Sequence, residues 1–390
     1  MKVLGVVTSP RYKKISHDRV MEVVNSKDIM TTLYNIIYEG KISNSQALLL
    51  AAMWGARQEG AEIEIVYPGD LVPPFDGVVL STPVYFGDRS SALHQFIRGI
   101  PHWEDKAVGV VSSGAKRNGG QETTNIYALY DCLDRGALIT GNGPPTAQYG
   151  GTGWAGNKTA IANDDFGIKT SYGTGTQVAK LTKLIQAPEC KEKPRVLFMH
   201  VTKDKIAQVV DSGTFEHCNI SYFDMTDVDI KKCLGCPVCP NGDLTKKYKC
   251  IIKDDDMDWV QSQMSDADCI IFVSGTDDTK FQVFVERTRF IRRDHFELGE
   301  RVYSSYSQTE SITDILPLRI MTNMLRQNMF GLPFFKRFKE YENRSTKEYF
   351  QMIEKFTRKS VTMRKQSGFD SAYTAVGYED AKIDEKAYRD

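Results

Sequence analysis

No stretch of this 390-residue sequence approaches the roughly 20 consecutive apolar residues that a membrane-spanning helix needs, so no membrane insertion is expected. Net charge is absent as well, with 50 Lys and Arg against 50 Asp and Glu. That balance supplies no global field to attract nucleic acid or an anionic membrane. Low-complexity runs are missing, and 41% hydrophobic with 26% charged residues suits a chain that mostly folds. Histidine is scarce. His17, His94, His102, His200, His217 and His295 show no paired metal spacing, and each reads as a surface or packing residue. The opening apolar run, residues 3–7, is too short for a secretory signal and no cleavage site follows it. It reads as a first buried strand, and a cytoplasmic protein is the expectation.

Cysteine is not scarce, but it is unevenly placed. Of eight, Cys233, Cys236, Cys239 and Cys250 crowd into one short segment, whereas a disulfide framework spreads its bridges over a small secreted chain. Metal or redox chemistry is favoured there. Four thiolates can close a tetrahedral zinc site or a four-iron four-sulfur cluster, and reduced thiols without metal remain a third reading. Cys132, Cys190, Cys218 and Cys269 are scattered and read as buried thiols.

Short apolar runs separated by helical patterns organise the first half. Residues 3–7, 62–66, 77–80, 107–111 and 137–140 read as strands, and 45–60, 90–98, 125–135 and 177–185 as helices. The alternation predicts an α/β fold, a doubly wound parallel sheet with helices on both faces. Residues 141–175 read as a Gly-rich stretch, and the prolines and charges of 186–194 suit a linker. Strands at 195–200, 219–223 and 269–273, with a helix at 257–264, restart the pattern. Beyond residue 306 the chain is helix-rich, with amphipathic spacing at 312–327 and 345–365. This predicts a first domain at 1–187, a degenerate second one at 194–305 and a helical extension at 306–390, its last residues, 377–390, mobile. The basic run Arg287, Arg289, Arg292, Arg293 reads as a solvated helix face.

In an open parallel sheet, ligands sit beyond the carboxyl ends of the strands, so the loops there deserve the closest reading. The first strand ends in Thr8-Ser9-Pro10-Arg11, and the helix near Ser43-Asn44-Ser45 can offer unpaired N–H groups and hydroxyls to a phosphate. The second loop, Pro83-Val84-Tyr85-Phe86-Gly87, combines stiffness, aromatic faces and a glycine that allows backbone approach to a flat ring. The third, Ser112-Ser113-Gly114 through Gly119-Gly120-Gln121-Glu122, supplies N–H groups suited to negative charge on a ring. A run at 151–159 resembles a nucleotide-binding P-loop, yet Asn157 separates Gly156 from Lys158, and the region is read as a Gly-rich loop with Trp154 either over an acceptor pocket or packing the loop.

These loops resemble those of the NADPH-dependent FMN reductases and flavodoxin-like quinone reductases over roughly residues 1–185. The resemblance implies a flavodoxin-like fold holding noncovalent FMN. Ser9, Arg11, Ser43, Asn44 and Ser45 would serve the phosphate; Pro83, Val84, Tyr85, Phe86 and Gly87 would flank the ring; Ser112, Ser113, Gly114, Gly119, Gly120, Gln121 and Glu122 would form the second ring loop. Glu122 is a candidate general acid, with a hydrogen bond that anchors the loop the preferred reading. The phosphate loop is split by an insertion, residues 12–42, which reads as a lid, a subunit contact or part of a pocket. The second half resembles the iron-sulfur flavoproteins: the triple cysteine, Cys250, the acidic run Asp254-Asp255-Asp256 with Met257, and the strand after Ala267-Asp268 follow in their order. That likeness implies a cluster held by Cys233, Cys236, Cys239 and Cys250. The loops at 201–205 and 274–280 lack flavin-binding residues, so one FMN per chain is expected.

The resulting expectation is an FMN-dependent oxidoreductase that passes electrons from NAD(P)H to a quinone-like, small-molecule or protein acceptor. A homo-oligomer is implied by the resemblance alone. The alternatives are an FMN and iron-sulfur electron carrier without small-molecule turnover, and a zinc-stabilised binding or assembly protein.

Overall fold

The structure is a computed structural model that describes residues 1–157, 159–199, 215–236, 250–274, 278–293, 296–307, 315–335 and 345–367. The chain forms two compact units. The first holds residues 1–143, 147–187 and 330–334; the second holds 144–146, 188–329 and those from 335 onward.

In the first unit, β1 (Lys2–Val7), β2 (Glu62–Val66), β3 (Gly77–Pro83), β4 (Ala107–Gly114) and β5 (Leu138–Ile139) lie in the order β2-β1-β3-β4-β5, every pairing parallel. That is the flavodoxin-like order, whose switch in direction falls between β1 and β3. The strands are legible as apolar runs because both faces are covered: Val3, Leu4, Val78, Val79, Val108 and Val110 are fully buried. The fifth position is shared. β5 pairs with Ala107 and Val108, while β6 (Gly151–Trp154) takes Val111 to Gly114 at the upper end of the same strand. A two-residue strand, Phe330–Gly331, adds one antiparallel pair to β5.

The insertion folds as two helices, α1 (His17–Val24) and α2 (Ile29–Tyr38), capped by Ser16 and Asp28. Both pack through buried aliphatic faces near α3 (Asn44–Gln58), the helix that completes the first crossover. Gln46 ties the insertion down. Its carboxamide accepts from the backbone N–H of Ser43 at 3.0 Å and of Lys13 at 2.9 Å, and donates to the Lys13 carbonyl at 2.6 Å. With Ser43 capping Gln46, these bonds form a capping box. Gln46→Ala is expected to cost about 1–2 kcal/mol of stability, the scale of a lost cap with buried partners. Proteolysis of the 12–42 segment should quicken, measured by the initial rate of limited digestion against urea-determined stability.

The stretch 141–175 corrects the reading of a continuous Gly-rich loop. It contains β6, and α6 (Asp165–Gln186) begins 12 residues before the expected helix at 177. Glycines sit inside this helix because it lies very close to its neighbour. A Cβ on Gly175 would stand 1.7 Å from the Ala52 carbonyl oxygen, and one on Gly55 2.0 Å from that of Tyr172. Helix propensity is sacrificed there for a short interhelical distance. Likewise α5 (Gln121–Asp134) starts before the expected 125, after a Gly120 with φ of 95°, so Gln121 and Glu122 belong to its first turn. The remaining helix, α4 (Ser91–Gly99), follows β3.

In the second unit, β7 (Arg195–Met199), β8 (Asn219–Phe223), β9 (Cys269–Ser274) and β10 (Val302–Ser307) lie in the order β8-β7-β9-β10, again all parallel. This repeats the first four positions of the flavodoxin-like order. Helices Met257–Ser265, Asp278–Arg287, Leu316–Arg326 and Thr346–Ser367 accompany it. The last of these lies against β10: the Tyr349 hydroxyl donates to Ser304 Oγ at 2.7 Å, and Phe350 packs on Phe198 and Tyr306. No helix among the described residues is long and apolar enough to cross a membrane.

The basic run is a solvated face only in part: Arg289 is exposed, whereas Arg287 is 2% exposed and paired with Asp255, and Arg292 is buried. The readings placed on His200, 201–205, Cys239, 275–277, His295, the start of 312–327 and 377–390 lie outside the described residues, as does Lys158.

Candidate flavin and metal sites

Three loops converge at the carboxyl edge of β1, β3 and β4. Beneath them runs a web of buried hydroxyls. Thr8 donates to the Ser81 carbonyl at 2.7 Å, Ser90 to Thr8 Oγ1 at 3.1 Å, and Ser81 to the Ser45 carbonyl at 2.8 Å; the Ser45 and Ser113 hydroxyls share a 2.7 Å bond. Since Ser45 starts α3 and Ser113 ends β4, this web fixes the phosphate-side loop against the ring-side loop. Buried hydroxyls that satisfy one another in this way rigidify a site.

On the phosphate side, the backbone N–H groups of Asn44 and Ser45 head α3 without an acceptor among the described residues. Ser43 Oγ is engaged as the helix cap. Ser9 Oγ is buried and accepts from the Arg11 N–H at 3.3 Å. The Arg11 guanidinium is exposed and has no side-chain partner among the described residues. Unpaired N–H groups at a helix N-terminus are a favourable setting for an anionic group.

On the ring side, Val84 donates to the Ser113 carbonyl at 2.9 Å, and Tyr85 and Asp88 bridge one another across a tight turn. Phe86 and Gly87 at its tip have φ of 53° and 79°. The turn projects Tyr85 and Phe86 into solvent, Phe86 fully. Gly120 meets Gly87 so closely that a Cβ would stand 2.9 Å from the Gly87 Cα. Backbone in the left-handed region and backbone touching backbone are what glycine permits at a flat-ring site.

Gln121 is the organiser of the third loop. Its side chain is buried, accepts from the Gly119 N–H at 2.8 Å and donates to the carbonyls of Lys116 at 2.6 Å and Gly153 at 3.1 Å; Ser112 Oγ donates to its carbonyl at 3.0 Å. Glu122 is exposed without a side-chain partner among the described residues, so the anchoring expected of it falls to Gln121. Gln121 Oε1 and Nε2 are thereby committed to protein, and its contribution to a ligand is to shape the loop.

Sequence reasoning missed Asp164 and Arg117. The Asp164 carboxylate, 3% exposed, caps α6 by accepting from Gly167 at 3.0 Å, accepts from the Trp154 N–H at 2.6 Å and pairs with Arg117. Arg117 also donates to the Thr152 carbonyl at 3.3 Å and lies over the Phe166 ring. Trp154 donates from its indole to the Ala115 carbonyl at 3.1 Å while its ring stays partly exposed. The run Asn163-Asp164-Asp165 before a helix was the available signal.

In the second unit, Cys233, Cys236 and Cys250 line one pocket with Leu234, Arg287 and Phe290. The Gly235 N–H donates to Cys233 Sγ at 3.4 Å, and Gly235 has φ of 65°, the turn that lets Cys233 and Cys236 face the same space. N–H donation to sulfur stabilises thiolate and tunes iron–sulfur potentials. Among the described residues, no three Cys, His, Asp or Glu side chains come together as a ready metal site. The donor chemistry nonetheless fits a thiophilic metal: soft sulfurs on one pocket, an N–H donor to one of them, and a buried cation whose Nε has no partner. By contrast, Cys132 and Cys269 are fully buried and burial pushes their thiols well up, while Cys218 is pushed up to about 12 by burial and Glu354. These three are suited to packing and not to ligation.

Strand order and loop set together define a flavodoxin-like α/β protein. Its residues 1–127 match the NADPH-dependent FMN reductase family. An iron-sulfur flavoprotein of Methanocaldococcus jannaschii is 39% identical over 117 residues, which cover 28% of this chain and 61% of that protein; the match therefore spans less than two thirds of that relative's length. An NAD(P)H dehydrogenase (quinone) of Nitrobacter winogradskyi is 27% identical over 167 residues, 35% of this chain and 80% of the relative. An iron-sulfur flavoprotein of Methanosarcina thermophila is 24% identical over 206 residues, 48% of this chain and 97% of the relative. The chain is similar to both groups.

Proposed function

We propose that this chain is an FMN-dependent NAD(P)H oxidoreductase whose first unit holds the flavin and whose second unit holds a metal centre on Cys233, Cys236, Cys239 and Cys250. The observation that carries the reading is the convergence of the three loops, tied by the Ser45 and Ser113 hydroxyls, at the switch point of a β2-β1-β3-β4-β5 sheet. Bound FMN supplies hydride acceptance from NAD(P)H and electron delivery to a quinone-like, small-molecule or protein acceptor. The protein's part is binding and electrostatics. The N–H groups of Asn44 and Ser45 and the Arg11 guanidinium hold the phosphate, while Ser9 fixes the loop that carries Arg11. The backbone of Gly87, Gly119 and Gly120, with Pro83 and Val84, forms the surface for the ring. Ser112, Ser113 and Gly114 set the height of that surface, and Tyr85, Phe86 and Trp154 offer faces on which an acceptor stacks. On the cysteine pocket, a four-iron four-sulfur cluster is the preferred occupant and zinc the alternative.

The deciding experiment is anaerobic purification with flavin, iron, zinc and sulfide measured on one sample, followed by NADH or NADPH oxidation with a quinone. One FMN per chain with turnover is expected. Failure to take up FMN on reconstitution would overturn the flavin assignment, and FMN without NAD(P)H oxidation would leave an electron carrier.

A further inference from the structure

We propose that Arg287 is the counter-cation of the cysteine pocket, a guanidinium fixed by Asp255 that stabilises the thiolates around a bound metal. The inference rests on reading that pocket as a metal centre. Arg287 ends the helix Asp278–Arg287, and its side chain lines the pocket beside Cys233, Cys236 and Cys250. Its ion pair with Asp255, at 2.5 Å, is 1% exposed on both sides. The Arg287 NH1 also donates to the Lys231 carbonyl at 2.9 Å, while Asp255 accepts from the N–H groups of Lys231 at 3.0 Å and Met257 at 3.2 Å. Both partners thus grip the backbone two residues before Cys233, so the pair positions the cysteine segment as well as the charge.

A structural pair alone accounts poorly for this arrangement. Burying an ion pair is no more stabilising than burying apolar groups of the same volume, and here the guanidinium Nε is left without an acceptor among the described residues. An anionic neighbour in the pocket supplies what is missing. The three thiolates that line this pocket already carry more negative charge than a divalent metal ion neutralises, and an outer cation offsets the excess. The Cys250 sulfur already interacts with Arg287. Burial works to raise the Asp255 carboxyl, but Arg287 and the two backbone donors keep it below the ordinary carboxylate range.

The test uses the full-length chain and two variants. Arg287→Met combined with Asp255→Asn removes both charges and leaves no buried ion unpaired; Arg287→Lys keeps the charge and loses the fork. Thermal unfolding of the metal-free proteins checks that each folds. Anaerobic titration with Co²⁺, read by sulfur-to-cobalt absorption and competed with a chelator, gives affinity; reconstitution with iron and sulfide gives a midpoint potential. The charge-free variant should bind Co²⁺ about 10- to 100-fold more weakly than wild type, the range for a lost outer-shell partner, and its reconstituted centre should have a more negative potential. Arg287→Lys should recover most of the affinity. Equal affinity and potential in wild type and the charge-free variant would overturn the role of Arg287 and leave the metal centre standing. Should the charge-free variant not fold, Arg287→Lys decides: affinity near wild type supports the charge, and a full loss overturns it in favour of shape. Wild-type protein that takes up neither cobalt nor iron overturns the metal reading itself, and the proposal with it.

Discussion

Replacing Gly120 with valine is expected to strip the protein of FMN while leaving it folded. Gly120 has φ of 95°, a region where an L side chain costs about 1–2 kcal/mol and a β-branched one more. Its new Cβ would also stand 2.9 Å from the Gly87 Cα and 3.3 Å from a Val84 methyl. The first of these is backbone, so nothing yields by a rotamer change, and overpacking of this kind costs about 1–3 kcal/mol. The strain is relieved only by parting the two ring loops. Because the N–H groups of that surface must lie in place before the ligand arrives, a displacement of tenths of an ångström falls on binding more than on folding. The FMN dissociation constant should rise by about 100-fold, near 2.8 kcal/mol, measured by flavin fluorescence quenching. Gly87→Ala provides the contrast: φ there is 79° but the space is open, so backbone strain acts without collision and the loss should be smaller. An unchanged FMN affinity in Gly120→Val would remove the two ring loops from the flavin assignment.

The same pair of loops marks how far sequence reaches. The strands predicted at 77–80 and 107–111 lie within β3 and β4, because parallel strands covered on both faces have no polar alternation to blur them. The three loops were legible through their position after such strands and through their glycines and hydroxyls. What stayed hidden depends on partners distant in the chain. The first half of α6 reads as loop because Gly167, Gly173 and Gly175 have poor helix propensity, and one gain that offsets it, the close approach of Gly175 to Ala52 of α3, lies more than a hundred residues away. Arg287 reads as a surface charge because nothing in the run 287–293 reveals Asp255, 32 residues earlier. Glu122 reads as a hydrogen-bonding anchor of the third loop, yet it is exposed without a side-chain partner among the described residues. Gln121 performs that role because a carboxamide both donates and accepts, as a loop with inward-facing N–H and C=O groups requires.

Asp164→Ala should be the most destabilising change at the flavin end of the first unit, and it should weaken FMN or acceptor binding through Trp154. One buried carboxylate does three things there: it caps α6 through Gly167, receives the backbone N–H of Trp154 and neutralises Arg117. Removing it leaves a helix start uncapped, worth about 1–2 kcal/mol, and deprives a partly covered cation of its partner. Breaking a buried pair costs about 3–5 kcal/mol; the Arg117 guanidinium is 41% exposed and can turn to water, so the ion-pair share is the smaller one. A total near 3 kcal/mol follows, read from urea unfolding. Asp164→Asn separates the parts. Asparagine is as good a cap as aspartate, and its carbonyl oxygen can still accept one of the two N–H donors. The charge on Arg117 is left unanswered, so this variant should retain more than half of the lost stability. Arg117→Met tests the remaining limb, since Asp164 keeps its backbone donors but loses its cation. If Trp154 is held over the acceptor side by this carboxylate, Asp164→Asn and Arg117→Met should both raise KM for a quinone with little change in the FMN dissociation constant. A fall in FMN affinity of the same size in both would instead assign the Arg117 loop to the flavin itself.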